Sequence, residues 1–393
     1  MKDNGLSITN ICALAIYGLI NALFVYKYTS RITSQPWATS LLYLVMVSLF
    51  ILLLFRMTES RLGVKTQNLI YFSMIAFSAI LFTFVMFHFD PEKIRVGRYP
   101  AIYDWITRMF NSEFPYASRT NPSGLPFLFV MAMPFYFLGD LGLLQIFSFL
   151  AFAVLIHLRH RQKSINRLRC LFLLVTAPIF LYEIVVRSDL CSNMIIVLLY
   201  LAIFEVLGPR AGHIALCFLG IIGGLLLSTR GIVLLIYIPV FGYFFRRQII
   251  KDSLFFLSIF VGFLLPLIPF LIWDWAHFIN FGPFSIQLSY IPNWLLIFSI
   301  AASIYCAVTI RSLERIYSSV LFILFGVTCA AFVMTVLDHG WYQTVQRDGF
   351  DISYFCFALP FLLISLEFTN KGTDSPDSVF TVSQPLTESL RCK

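Results

Sequence analysis

Residues 125–138 read LPFLFVMAMPFYFL, and how this segment meets a bilayer sets the direction of everything around it. It is apolar throughout, yet short, with Pro126 and Pro134 inside it and Gly139 and Asp140 directly after it. A helix that crosses the hydrocarbon core needs about 20 residues. Irregular backbone at membrane depth is tolerated only where protein covers it. The segment therefore reads as a re-entrant or tilted half-span that enters and leaves on one side.

The apolar runs around it are longer. Full spans are expected at 8–28, 38–56, 68–88, 141–158, 169–186, 190–207, 212–228, 231–246, 252–273, 293–310, 316–337 and 352–368. Composition agrees: hydrophobic residues make up 59% of the chain and charged residues 12%, against about 25% charged in a soluble domain. The mean hydropathy is +0.84. The expected fold is all-α, a polytopic membrane protein of about twelve transmembrane helices plus the short segment.

Charge supplies the orientation. The loop RHRQKSINRLR (159–169) should be cytoplasmic, because Lys and Arg collect on that side. If 125–138 is a half-span, then RMTESRLGVK, GPRAGH, RRQIIKD and RSLER fall on the same side as that loop. A full crossing would set the loops before and after it against each other. Both termini are then cytoplasmic. The outer face receives loop 89–124, the Arg187–Asp189 turn, loop 274–293 and the segment DHGWYQTVQRDGFD (338–351).

The net charge of +8 is thus the signature of inner loops and implies no nucleic-acid partner. The eight cysteines form no CxxC and no Cys/His cluster, so neither disulfides nor zinc are expected. The first apolar run lacks a cleavage site and reads as a retained span. Residues 1–67 hold few unusual polar groups and read as an accessory hairpin. Residues 68–368 are the main membrane module, and 369–393 read as a disordered cytoplasmic tail.

Against this apolar background, FDPEKIRVGRYPAIYDWITR (89–108) concentrates charge where the third span leaves the membrane. Asp90 stands at the boundary, and Glu92 follows a helix-stopping proline. A carboxylate beside apolar surface is a candidate general base. From Pro100, the residues Ile102, Trp105, Ile106 and Met109 repeat at helical spacing, which predicts an amphipathic juxtamembrane helix. Asp104 and Arg108 lie i, i+4 on its polar side, and a plain ion pair explains them as well as a catalytic role does.

Cations crowd this loop where topology does not require them: Lys93, Arg95, Arg98, Arg108 and Arg119. Arginine suits bidentate phosphate recognition. A second polar point, YEIVVRSDLCSNM (182–194), brings Glu183, Arg187, Asp189 and Asn193 into an apolar stretch. Ionisable residues there are costly and more often functional than not. Arg230 ends another span on the same face, and the last outer loop adds His339 and Arg347.

These motifs together resemble the GT-C fold of integral-membrane glycosyltransferases, in the branch of bacterial protein mannosyltransferase-like and aminoarabinose-transferase-like enzymes. The counterparts are FDPE (89–92), GRY (97–99), PAIYDWITRMF (100–110), NPSGLPFLFVMAMPFYFLG (121–139) and APIFLYEIVVRSDLCSNM (177–194), so the resemblance covers about residues 68–210. It departs from the family in three ways. The family's acidic pair commonly stands immediately before the Arg-Tyr element, where this chain has Arg-Val-Gly. Two extra spans precede the loop. No soluble acceptor-binding domain follows.

The resemblance implies transfer of a sugar from a polyprenyl-phosphate-linked donor to an envelope glycan or glycolipid, with inversion, at the outer face of a bacterial inner membrane. It implies Asp90 as the base, with Glu92 and Asp104 as the other carboxylates in reach. Arg98 and Arg187 would bind the leaving phosphate, Asp189 would order that site, and Tyr99 and Trp105 would pack against sugar or prenyl chain. Arg95, Arg119, Arg230, His339 and Arg347 complete the substrate-binding candidates. No cofactor is required; two carboxylates beside a phosphate could hold Mg²⁺. The alternatives are an O-antigen-type polysaccharide polymerase, whose chemistry would sit in a late loop, and a transporter or flippase of lipid-linked sugars, whose charges would meet at the midplane.

Overall fold

The computed structural model describes residues 7–56, 63–94, 98–118, 120, 122–160, 164–246, 249–289 and 291–366. Among these residues every regular element is helical. The first part of the chain forms α1 (Ile8–Thr29), α2 (Pro36–Arg56), α3 (Val64–His88), α4 (Pro91–Ile94), α5 (Tyr99–Phe110) and α6 (Pro126–Phe137). The middle forms α7 (Leu143–Arg159), α8 (Ser164–Val175), α9 (Pro178–Val186), α10 (Leu190–Leu207), α11 (His213–Leu227) and α12 (Val233–Phe244). Then come α13 (Ile249–Leu264), α14 (Ile268–Trp273), α15 (Trp275–Asn280), α16 (Pro283–Ser289), α17 (Asn293–Thr309) and α18 (Leu313–Trp341). A 3₁₀ turn (Ile352–Phe357) leads into α19 (Leu359–Ser365).

The protein is membrane-embedded by the character of these helices. Among the described residues α1, α2, α3, α10 and α18 are long and apolar enough to cross a bilayer. A sixth span arises if α8 and α9, bent by 57°, are taken together. Pro178 explains that bend, because it opens α9 with no N–H to continue the ladder. The other apolar runs form shorter helices. At 12 residues, α12 is only about 18 Å long.

α6 shows why a short apolar segment is stable here. Its first N–H groups have no intrahelical partner. The N–H groups of Leu125 and Phe127 instead donate to the carbonyls of Thr229 and Ser228 (3.0 and 3.1 Å) at the corner between α11 and α12. The neighbouring backbone thus caps the half-length helix, and its entry sits against the site described below.

α1 is built into the main core through Tyr17, Ile20 and Phe24. The Tyr17 hydroxyl donates to the Leu173 carbonyl (2.7 Å), and Asn21 Oδ1 accepts from the Ile179 N–H (3.2 Å) just after the α8–α9 bend. α2, by contrast, exposes Leu49, Leu52 and Leu53. The two helices expected to form one accessory hairpin therefore differ: α2 is peripheral, while α1 is a core element that also reaches the site.

The arginines at the end of α7 and in the first turns of α8 also fold inward. Arg169 Nε donates to the Leu54 carbonyl (3.0 Å) and Arg167 Nη2 to Asn68 Oδ1 (2.9 Å). Arg159 lies over the Tyr317 ring beside Glu205. These contacts close the end of the bundle away from the site.

α11 and α13 pack closely, and glycine permits it. A Cβ on Gly224 would strike the Ile259 carbonyl, and one on Gly220 would meet the Phe255 carbonyl at 2.8 Å. Gly224→Val should cost about 1–3 kcal/mol of overpacking strain and lower the thermal midpoint of the purified protein, while Gly212→Val, where the space is open, should not.

Candidate functional site

α5 forms as its sequence predicts. Pro100 stands in its first turn, and Ile102, Trp105 and Ile106 are the buried face. That face meets protein rather than lipid. Trp105 is fully buried, stacked on Phe129 of α6 (4.4 Å between centroids, 8° between planes) and tilted against Phe270 of α14. The expected contact of Trp105 with sugar or prenyl chain is thus replaced by a structural role: it fixes α5 on α6, and so fixes Arg98, the N-cap of α5.

Arg98 projects into a polar cavity of about 240 Å³. Nη1 donates to Ser123 Oγ (2.8 Å), Nη2 donates to Asp351 Oδ2 (3.0 Å), and the guanidinium lies 4.9 Å from the centroid of the Tyr354 ring. Burial works against its charge, but Tyr354, Asp351 and Asp189 outweigh that and hold its pKa above the ordinary value. It is a fixed cation.

Two further cations line the same cavity. Lys27, in the last turn of α1, is 4% exposed and pairs with Asp348 Oδ1 (2.6 Å). Arg230, after α11, is 3% exposed and pairs with Asp189 Oδ2, its Nε at 3.1 Å. Each cation therefore meets a carboxylate, but the carboxylates differ. Asp351 uses Oδ1 to accept from the N–H and hydroxyl of Ser353, so both of its oxygens are engaged. Asp348 stands at the rim, between Lys27 and Arg31. Asp189 is fully buried, and its Oδ1 has no hydrogen-bond partner.

Directly beside this cavity lies a second, apolar groove of about 270 Å³, lined by residues such as Leu234, Leu235, Leu296, Ile300, Val327 and Ala331. Arg230 lines both spaces. Gln287 of α16 ties their walls together: Nε2 donates to the Ser123 carbonyl (2.6 Å) and Oε1 accepts from the Gly231 N–H (3.0 Å).

The sequence-nominated residues divide. Arg98, Asp189 and Arg230 are brought together in the cavity. Arg187 is close by but is spent on structure. It sits in the left-handed region (φ 52°, ψ 44°) and is 2% exposed. It donates from Nε to Asp140 Oδ1 (2.7 Å), from Nη1 to the Phe89 carbonyl (3.0 Å), and from Nη2 to the Met86 carbonyl (2.5 Å) and Asp140 Oδ2 (2.9 Å). Left-handed backbone costs a non-glycine residue about 1–2 kcal/mol, which these bonds offset. The turn expected to be an exposed outer loop is a buried staple joining α3, α9 and the segment before α7.

Asp90 follows α3 outside the cavity lining, with its side chain 45% exposed and Lys93 at 3.5 Å. Asp104 pairs with Arg108 (3.2 Å) and accepts from Ser118. Tyr99 stacks on Tyr103, with the Arg187 guanidinium 5.8 Å from its ring. His339 lies in the last turn of α18 next to Gly340, whose positive φ (77°) kinks the helix. Arg347 is exposed and donates from Nε to the Tyr342 hydroxyl (3.3 Å). Glu92 lies in α4; its side chain, like Arg95 and Arg119, lies outside what is described.

Three contributors escaped sequence reasoning, Lys27, Ser123 and Asp351, whereas Asp348 was among the polar residues that the last outer loop offered. Lys27 carried a usable signal, since a lysine in the last turn of an apolar helix must find a partner or a polar cavity. Asp351 also had one, as an Asp two residues before a serine at a helix start. No group of three or more His, Cys, Asp or Glu side chains able to hold a metal ion occurs among the described residues. Compared with known proteins, the chain matches no family model, no curated protein and no solved structure.

Proposed function

We propose that the protein is a membrane glycosyltransferase that moves a sugar from a polyprenyl-phosphate-linked donor to a glycan or glycolipid acceptor at the outer membrane face. One observation carries this reading: Arg230 lines both the polar cavity and the apolar groove. A lipid phosphate is the ligand whose chemistry changes from charged to apolar across one such boundary. Its phosphate would lie between Arg98 and Arg230, and its isoprenoid chain along Leu235, Ile300 and Ala331. In this reading the chain has a GT-C-like arrangement of about twelve spans, with the site facing outward.

In this reading the base is Asp189 rather than Asp90, because Asp189 combines membership of the cavity with an oxygen free of any partner. The acceptor hydroxyl gives its proton to Asp189 Oδ1 as its oxygen attacks the anomeric carbon. The bond from that carbon to the phosphate oxygen breaks, and its electron pair leaves with the lipid phosphate. Preorganised cations stabilise such developing charge best where water is excluded. Arg98 and Arg230 are already fixed by Asp351 and Asp189. A base engaged at the cavity floor favours transfer over simple translocation of the lipid.

Chain length tests the groove. Ala331→Trp should fill it and raise KM for a long prenyl-phosphate sugar while leaving a donor of two or three isoprene units unaffected. Equal effects on both donors, measured by steady-state transfer, would remove the groove from the reading.

A further inference from the structure

Next to Asp189 lie buried polar side chains that the transfer step does not use. Glu183 of α9 is fully buried. Its Oε2 accepts from the Cys191 N–H at the start of α10 (2.9 Å), while Oε1 has no hydrogen-bond partner. The hydroxyl of Ser188, in the turn that follows, borders Glu183 and is 1% exposed. Asp189 Oδ1 and both amide atoms of Asn193, one turn along α10, are also buried without partners.

Buried polar atoms are nearly always paired, and an unpaired carboxylate oxygen in a low-dielectric interior is costly. Here three such oxygens belong to one turn: those of Asp189 and Ser188 are on adjacent residues, and the Ser188 N–H donates to the Glu183 carbonyl (3.0 Å), which brings the Glu183 side chain beside them. Each can accept a proton on one side and release one on the other. The groups facing Glu183 are Arg98 from the start of α5, Asp189 in the turn, Cys191 of α10, Cys356 of the 3₁₀ turn and the adjacent Tyr182. Of these, Arg98, Tyr182 and Asp189 also line the cavity, and Asp189 is the one carboxylic acid among them.

The geometry points to Glu183 as a positioning residue that stores the proton collected by Asp189. This rests on the transfer reading above. Asp189 takes the acceptor's hydroxyl proton on Oδ1. Ser188 accepts that proton on Oγ and releases its own to Glu183 Oε1, which leaves Asp189 ionised. The stored proton returns along the same route to the departing lipid phosphate, so each turnover ends with Glu183 and Asp189 as they began.

Two measurements on the full chain in lipid nanodiscs test this. Infrared spectra of wild type minus Glu183→Gln identify the Glu183 carboxyl band, and its pH midpoint is followed in the presence and absence of Asp189→Asn. A midpoint that moves by about one pH unit or more is the coupling expected of a proton-sharing pair; an unmoved midpoint overturns the inference whatever the transfer activity. In the second arm a tritiated prenyl-phosphate hexose is the donor. Glu183→Gln should lower kcat by less than the about 10²-fold that a direct base supplies, leave KM unchanged and flatten the pH profile, and Ser188→Ala should do the same. A Glu183→Gln profile that superimposes on wild type overturns it. Wild type that transfers no sugar from any donor while the infrared coupling persists would instead sink the transfer reading.

Discussion

Asp189→Asn is expected to lower sugar transfer by about 10²–10⁴-fold, the range that a general base supplies, with donor binding retained. Asparagine keeps the size of the side chain and can still accept from Arg230 through its amide oxygen, so the wall of the cavity should stand. What is lost is the ability of Oδ1 to take a proton. Asp90→Asn should leave transfer unchanged, because that carboxylate is half exposed, paired with Lys93 and absent from the cavity lining. The comparison is made by single-turnover transfer and, separately, by donor binding. Loss with Asp90→Asn and retention with Asp189→Asn would return the base to the position that the family resemblance gives it.

The second large effect is structural. Arg187→Leu should destabilise the protein by about 3 kcal/mol or more, the cost of breaking a buried ion pair by removing one partner. Asp140 is 18% exposed, which argues for the lower end. The loss is compounded because the carbonyls of Met86 and Phe89 give up their donors at the same time. Arg187→Lys should rescue only part of this, because a single ammonium cannot reproduce the planar fork that reaches all three acceptors. Thermal unfolding followed by aggregation in detergent reads the difference. An Arg187→Leu protein as stable as wild type, yet unable to bind lipid phosphate, would move Arg187 from the frame into the site.

The helical, membrane-embedded character was legible because most apolar runs were long and carried few charges. Helix lengths were less so: apolar composition does not say where 3₁₀ turns, prolines and bends cut a run, as at Pro178 between α8 and α9. The amphipathic spacing of Ile102, Trp105 and Ile106 predicted α5 closely. Sequence spacing could not say whether lipid or α6 would cover that stripe, since both are apolar. In the site, Arg98, Asp189 and Arg230 stood out as charges in apolar surroundings. Asp348 and Asp351 looked like ordinary loop carboxylates, because their partners, Lys27 and Arg98, lie more than 250 positions away. Arg187 looked like a phosphate ligand for the reason that makes it a staple: its donors are many, and the sequence does not reveal which acceptors take them.

The most direct test is a structure of the protein in nanodiscs with a polyprenyl phosphate. The phosphate should lie within hydrogen-bond reach of Arg98 and Arg230, with its first isoprene units along Leu235 and Ala331. Density for the lipid anywhere else on the bundle, with the cavity unchanged, would contradict the assignment of this site to lipid-linked sugar transfer.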